Sequence, residues 1–290
     1  MPQTPPGTRP HAAIHIDLDG ARHIFRTHGW KYDADDDPLF ESGLRGALRV
    51  LGEAGVQATL FVITEDLADP RRRALIESAV AAGHSVASHT VTHRRLTTLE
   101  RSERQREIAE SRAQLEAAGF AVRGFRAPSF GIDLESLELI AAAGYEYDSS
   151  VLRTAQIAGL GAPSDRPRGP YRLLNGQPLL EWPVPVSDSW LPPFHPSYSL
   201  VVGDWLFRRG IRRATQDGMP LVVLFHLTDF SEPLPKAWLR GWQQQLFTLS
   251  YLSAASKQAR CAGMLAYAAD AFDITTTAQI LAGYTAGAAC

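Results

Sequence analysis

The sequence predicts a single α/β domain, a barrel of parallel strands with helices on its outside. Three observations lead there. Apolar runs of strand length alternate with segments of helical period, as crossover helices between parallel strands require. Glycines stand where those helices should stop. Polar clusters able to do chemistry follow successive strands, the place where α/β folds carry their sites.

The first run, His11 to Leu18, alternates Ile14, Ile16 and Leu18 with His15, Asp17 and Asp19, so three polar side chains share one face. Further strands are expected at 56–63, 84–90, 124–129, 145–150, 178–186 and 221–226. Helices are expected at 39–54, 70–82, 98–118, 133–143, 203–217 and 237–258. Thr97 with Glu100 reads as a capping box opening the third helix. Gly55, Gly83, Gly119 and Gly144 sit just past helix ends. Residues 1–10 read as a disordered arm and 11–275 as the catalytic domain; 276–290 is a tail, either a short docked helix or a frayed end.

With 290 residues, 45% of them hydrophobic, the chain can bury a large core. The formal charge of −2, with Lys and Arg scattered, excludes the electrostatic footprint of a nucleic-acid or anionic-membrane binder. MPQTPPGTRP has no apolar signal-peptide core, and no eighteen apolar residues run together. The expectation is a cytoplasmic protein with no integral membrane segment, acting on a neutral or small molecule and free to form a homo-oligomer. Cys261 and Cys290 are expected to be free thiols.

Four clusters carry chemistry. Asp17-Leu18-Asp19-Gly20 ends a strand with two carboxylates facing one way; one can hold a metal while the other serves as a base. Ser88-His89-Thr90-Val91-Thr92-His93 has metal-ligand spacing, since one helical turn would put both imidazoles on one side. One carboxylate and two imidazoles leave a divalent ion an open position, as in catalytic zinc sites. In Gly124-Phe125-Arg126-Ala127-Pro128-Ser129 a semi-buried Arg needs a carboxylate, and Asp17 is the candidate. The buried strand Leu221-Val222-Val223-Leu224-Phe225-His226 ends in a candidate general acid. Each cluster alone has an ordinary structural explanation; their order along successive strand ends does not.

Together the clusters resemble the polysaccharide deacetylase family, carbohydrate esterase family 4, whose motifs are an Asp pair, His-x-x-x-His, Arg-x-Pro and Leu-x-His in that order. The resemblance spans roughly residues 11 to 275. It implies a distorted (β/α)7 barrel and one divalent metal ion, usually Zn with Co or Ni as alternatives, held by Asp19, His89 and His93. It also implies Asp17 as general base, Arg126 holding Asp17, Ser129 offering a backbone N–H to the oxyanion, and His226 protonating the leaving amine. The substrate class is an N-acylated sugar or glycoconjugate, losing acetate.

Leu18 separates the two aspartates where many members have them adjacent, as in branches with allantoinase-like enzymes and a lipid-linked aminoarabinose deformylase, so formyl or ureide substrates stay open. Gly144 to Ser150 and Glu181-Trp182-Pro183 resemble branches that make exported polysaccharides, and Asp148 is a candidate to line the site or to cap a turn. The carboxylate partner of His226 is not identified. The loops at 153–178 and Ser187 to Tyr198 are expected to shape the pocket, the second through Trp190, Phe194, His195 and Tyr198 as sugar-stacking or simply packing aromatics. Asp33 to Asp37 lacks the central Gly and closing Glu of a calcium loop and reads as solvated. A rival class, the Asp-x-Asp phosphatases, would leave His89, His93 and His226 idle.

Overall fold

In the computed structural model, described over residues 9–173, 177–187 and 191–286, the chain is a curled sheet of mostly parallel strands wrapped by helices. In order the elements are β1 His11–Asp17, α1 Ala21–Thr27, α2 Pro38–Ala54, β2 Ala58–Val62, α3 Pro70–Ala81, β3 Ser85–Ser88, α4 Arg101–Ala117, β4 Val122–Phe125, α5 Leu134–Ala142 and β5 Tyr147–Asp148. They continue with β6 Tyr171–Arg172, β7 Leu180–Glu181, α6 Pro196–Val202, α7 Asp204–Asp217, β8 Leu221–His226, α8 Trp242–Phe247, α9 Ala254–Ala271, β9 Asp273–Ile274 and α10 Thr277–Ala286. The sheet order is β6-β7-β5-β4-β3-β2-β1-β8, with β9 added against β1. Among the described residues only the β6–β7 pair is antiparallel. This is the distorted (β/α)7 barrel expected: seven parallel strands, β1 to β5 with β7 and β8, curl around a filled interior.

Register brings the strand ends level. Asp17 pairs with Phe61 on one side and His226 on the other; Val62 pairs with Ser88, and Ser88 with Phe125. The residues that follow β3 and β4, His89 and Arg126, therefore emerge at the height of Asp17 and His226.

Alternation along β1 supplies two cores. Ala12, Ile14 and Ile16 join the large layer beneath the helices, which includes Phe40, Leu44 and Ala47 of α2 and Cys261, Met264 and Leu265 of α9. Ala13 faces the inside of the curl with Phe61, Ala87, Tyr147, Leu180, Trp182, Val184, Val222 and Leu224. The end of the chain closes that inner layer. Ile280 and Leu281 of α10 pack within it, and the Thr277 hydroxyl meets His15 Nε2 at 3.0 Å and Thr59 Oγ1 at 2.7 Å. Trp182 is fully buried and its indole N–H donates to Pro220 O at 3.4 Å, tying the β7 side to the approach of β8.

Several expected boundaries move. The 178–186 strand shrinks to Leu180–Glu181 because Pro183 and Pro185 have no N–H to give a ladder. The 237–258 helix breaks into α8 and α9 at Leu249, which takes φ +50°, and α9 restarts at Ser253, whose hydroxyl accepts from Ser256 N at 3.3 Å. The Thr97/Glu100 capping box does not form: Leu96–Thr98 winds as a short 3₁₀ turn and Glu100 caps α4 without a side-chain bond. Asp37 is not solvated. It is fully buried and accepts from Ala21 N at 3.0 Å, Arg22 N at 3.0 Å and Phe40 N at 3.3 Å, so one carboxylate starts both α1 and α2. The four glycines do adopt the expected positive φ; at Gly55, +67° with ψ 27° closes α2 in a conformation a side chain would strain. No helix among the described residues is long and apolar enough to cross a membrane.

Trp182→Ala should cost about 3–5 kcal/mol of stability, because it empties the inner layer where Ile280 and Leu281 lie and leaves the Pro220 carbonyl unpaired. Urea unfolding of the two proteins checks this.

Candidate active site

β1 delivers Asp17 and Asp19 to opposite duties. Asp17, 2% exposed, meets the fully buried Arg126, whose Nη1 donates to its Oδ1 at 2.7 Å. Arg126 is held on its other edges too: Nε donates to Ser149 O at 2.8 Å, and Nη2 to Ser149 Oγ and to His15 Nδ1, both at 2.8 Å. Its guanidinium lies 4.0 Å over the Phe61 ring. Burial, then the Arg126 charge, pushes the His15 imidazole well below its ordinary range, which matches a neutral ring accepting from Arg126 and donating to Thr277. Asp17 Oδ2 is thereby left facing the cavity, 3.8 Å from His226 Nε2 and 4.0 Å from His89 Nε2.

Asp19 turns instead toward the two histidines. Its Oδ1 lies 3.3 Å from both His89 Nε2 and His93 Nε2, yet Asp19 Oδ1 and His93 Nε2 are buried without a hydrogen-bond partner. The three donor atoms lie within 4.8 Å of one another. On their far sides the rings are already occupied: His89 Nδ1–H donates to Arg126 O at 2.8 Å, and His93 Nδ1 meets Thr27 Oγ1 at 3.2 Å. Orphaned, convergent lone pairs with their outer edges bonded are what a divalent cation needs, so the residues fit one. Burial favours the neutral acid, but the imidazoles of His93 and His89 outweigh it and hold the Asp19 carboxyl well below its usual range. Burial likewise lowers His93, against Asp19. For His89 the carboxylates of Asp17 and Asp19 outweigh burial and raise it.

The two histidines do not share a helical turn. Residues 89 to 93 form an irregular loop in which Thr90 takes φ +70° and His93 φ +58°, conformations that cost a β-carbon-bearing residue energy and persist only when held. The holder is Glu107 on α4, 2% exposed, whose Oε2 accepts from Val91 N and Thr92 N at 2.9 Å and whose Oε1 accepts from Thr92 Oγ1 at 2.5 Å. Thr90 Oγ1 accepts from His93 N at 3.0 Å and completes the bend. Nothing in the spacing of a charged helix marks Glu107 out beforehand.

His226 ends β8 with Nε2 toward Asp17, and its Nδ1 partner is a hydroxyl: Ser197 Oγ at 3.0 Å, from the start of α6. The buried Asp229 sits behind it and accepts from His226 N at 2.9 Å. No motif in the sequence marks Ser197 as that partner. Ser129 lines the cavity with φ +53°, next to Phe130 at φ +54°.

One candidate lies elsewhere. Asp148 is fully buried, is absent from the cavity lining, and accepts from Ser150 N at 3.1 Å and Ser150 Oγ at 2.7 Å, so its role is to hold a turn. Burial, reinforced by Asp148, drives the adjacent Glu181 carboxyl well above its usual range. Trp190 lies outside the described residues. Of the other loop aromatics, Tyr198 lines the cavity while Phe194 is 7% exposed and packs in the outer core. The imidazole of His195 is lowered to about 4 by burial and by nearby His226, and its Nε2 bonds Pro185 O at 2.8 Å.

All the cavity-facing groups open onto a space of about 560 Å³, within the range of small-molecule sites. The arrangement can bind a cation on one wall, take a proton at Asp17 and give one at His226.

Residues 33–147 match the family model for polysaccharide deacetylase. A chitooligosaccharide deacetylase of Sinorhizobium fredii is 34% identical over 145 residues, 49% of this chain and 56% of that protein. One from Rhizobium leguminosarum bv. phaseoli is 43% identical over 72 residues, 24% of this chain and 31% of that protein. The chain thus spans about half the length of the first of these relatives and less of the second. Among solved structures, a Mycobacterium smegmatis protein provisionally named as a polysaccharide deacetylase aligns with TM-score 0.66 at 21% identity, covering 98% of this chain and 93% of its own. The Puue allantoinase aligns with TM-score 0.66 at 16% identity, over 99% and 95%. Both share the fold.

Glu107→Gln should weaken Zn or Co binding by about 10- to 100-fold, because the His93 bend loses part of its anchor, while Asp19→Ala should abolish it. Isothermal titration of the metal-stripped proteins measures both.

Proposed function

We propose that this chain, which belongs to the polysaccharide deacetylase family, hydrolyses the amide of an N-acylated sugar and releases acetate and a free amine. The observation that carries the reading is the division of labour between two carboxylates only two residues apart. Asp17 is clamped by Arg126 and faces His226; Asp19 faces His89 and His93.

One divalent cation, Zn in the first instance, would be held by Asp19, His89 and His93. When bound it supplies Lewis-acid polarisation of the acyl oxygen and makes water more acidic. The chain's own residues do the rest. Arg126 fixes Oδ1 of Asp17 and so aims Oδ2, the free oxygen, to withdraw a proton from the attacking water. Ser129, which lines the cavity, would offer its backbone N–H to the oxygen on which charge develops. His226, steadied through Nδ1 by Ser197, presents Nε2 to the departing nitrogen and protonates it as the C–N bond breaks. Ser197 replaces the carboxylate that a histidine acid would more commonly lean on.

The metal-loaded protein should release acetate from N-acetylated sugars faster than formate from N-formyl sugars or ring-opened product from allantoin. Asp17→Asn and His226→Ala should each lower kcat by about 10²-fold or more with metal content unchanged. Equal, slow release by wild type and Asp17→Asn would end the amidase reading. Ser197→Ala should reduce kcat several-fold with KM little changed, and Ser197→Thr, which keeps the hydroxyl, should restore most of it.

A further inference from the structure

The geometry points to a substrate that carries an alkyl chain: a neutral amphiphile, with the sugar amide at the Asp17–His226 end of the cavity and a saturated chain along the opposite wall. The inference rests on the amidase reading and narrows its substrate class.

Besides its polar groups, the cavity is lined by Ile24 of α1, Val201 of α6, Leu246 and Phe247 of α8, and Leu249 just beyond. Ile24, Val201, Leu246 and Leu249 offer a sugar neither hydrogen bonds nor a flat ring to stack on; beside the rings of Phe130, Tyr198 and Phe247 they add aliphatic area, which suits methylenes. Among the described residues lining the cavity there is no Lys or Arg, so away from the Asp19–His89–His93 cluster and His226 no cationic side chain favours a phosphate or carboxylate. The wall also runs out to the surface. Of the residues that line the cavity, Tyr198 is 46%, Val201 47% and Phe247 50% exposed, so its apolar lining reaches the surface. An apolar patch continuous with a polar, cation-ready pocket is expected where a ligand is itself apolar at one end and polar at the other. Phe247 is seated rather than loose, its ring 4.3 Å from that of His28, which also lines the cavity.

The chain could be the acyl group or the aglycone, and the experiment separates them. Kinetics would compare octyl with methyl 2-acetamido-2-deoxy-β-D-glucoside, and methyl glycosides bearing N-octanoyl with N-acetyl, all below micellar concentrations. Isothermal titration with octyl and methyl β-D-glucoside, which have no amide to cleave, reads binding alone. At about fourfold per methylene removed from water, three buried methylenes should raise kcat/KM and affinity for the long-chain member about 60-fold. A preference in the glycoside arm puts the chain on the aglycone, one in the amide arm puts it on the acyl group, and either supports the inference. The preference should collapse in Val201→Ser and Phe247→Ser and persist in Val201→Leu. Tighter binding of octyl glucoside with no amide cleaved would overturn the amidase reading and keep the apolar site. Equal handling of long and short chains in every arm would overturn the inference.

Discussion

A guanidinium shut away from water must find protein partners for its N–H groups, and Arg126 finds four, on Asp17, His15 and Ser149. Removing one partner from such a buried pair typically costs about 3–5 kcal/mol, because the other charge is left uncompensated. The chain spends much of its architecture on avoiding this. His15 is kept neutral so that it can accept; Thr277, from the last helix, accepts in turn from His15; Phe61 covers the face of the cation. The barrel interior is therefore two things at once, an apolar plug below and a polar clamp above, and α10 belongs to both.

The clamp decides what the Asp-x-Asp pair can do. With Oδ1 of Asp17 fixed by Arg126, Oδ2 is turned to His226, and Asp19, two residues further on, is free to turn to the histidines. Arg126 also contributes through its backbone, since its carbonyl fixes the His89 ring. The base side and the metal side of the site are thus coupled through a single residue at the end of β4.

Strain is concentrated where the ligands sit. Thr90 and His93 hold left-handed backbone that the Glu107 carboxylate, the Thr90 hydroxyl and backbone bonds from Thr64 and Glu65 help to keep in place. A straight helical turn would have been easier to build, but the bent loop brings both imidazole Nε2 atoms to 3.3 Å from one oxygen of Asp19.

The sequence by itself determined the barrel, the order of its strands' reactive ends, and the chemical identity of the groups that meet there. Alternation fixes which face of β1 carries His15, Asp17 and Asp19, and level parallel register brings four strand ends together. What only the tertiary structure decided are contacts between elements distant in the chain. Glu107 under the His93 loop, Ser197 behind His226, Asp37 starting two helices and α10 inside the curl have no local signature, because a carboxylate or hydroxyl on a helix reads the same whether it faces water or a bend from another strand. Asp148 shows the converse: its motif suggested the site, and the fold buried it to hold Ser150. Composition marks a residue as able to do chemistry, but whether it does depends on which space its side chain opens into.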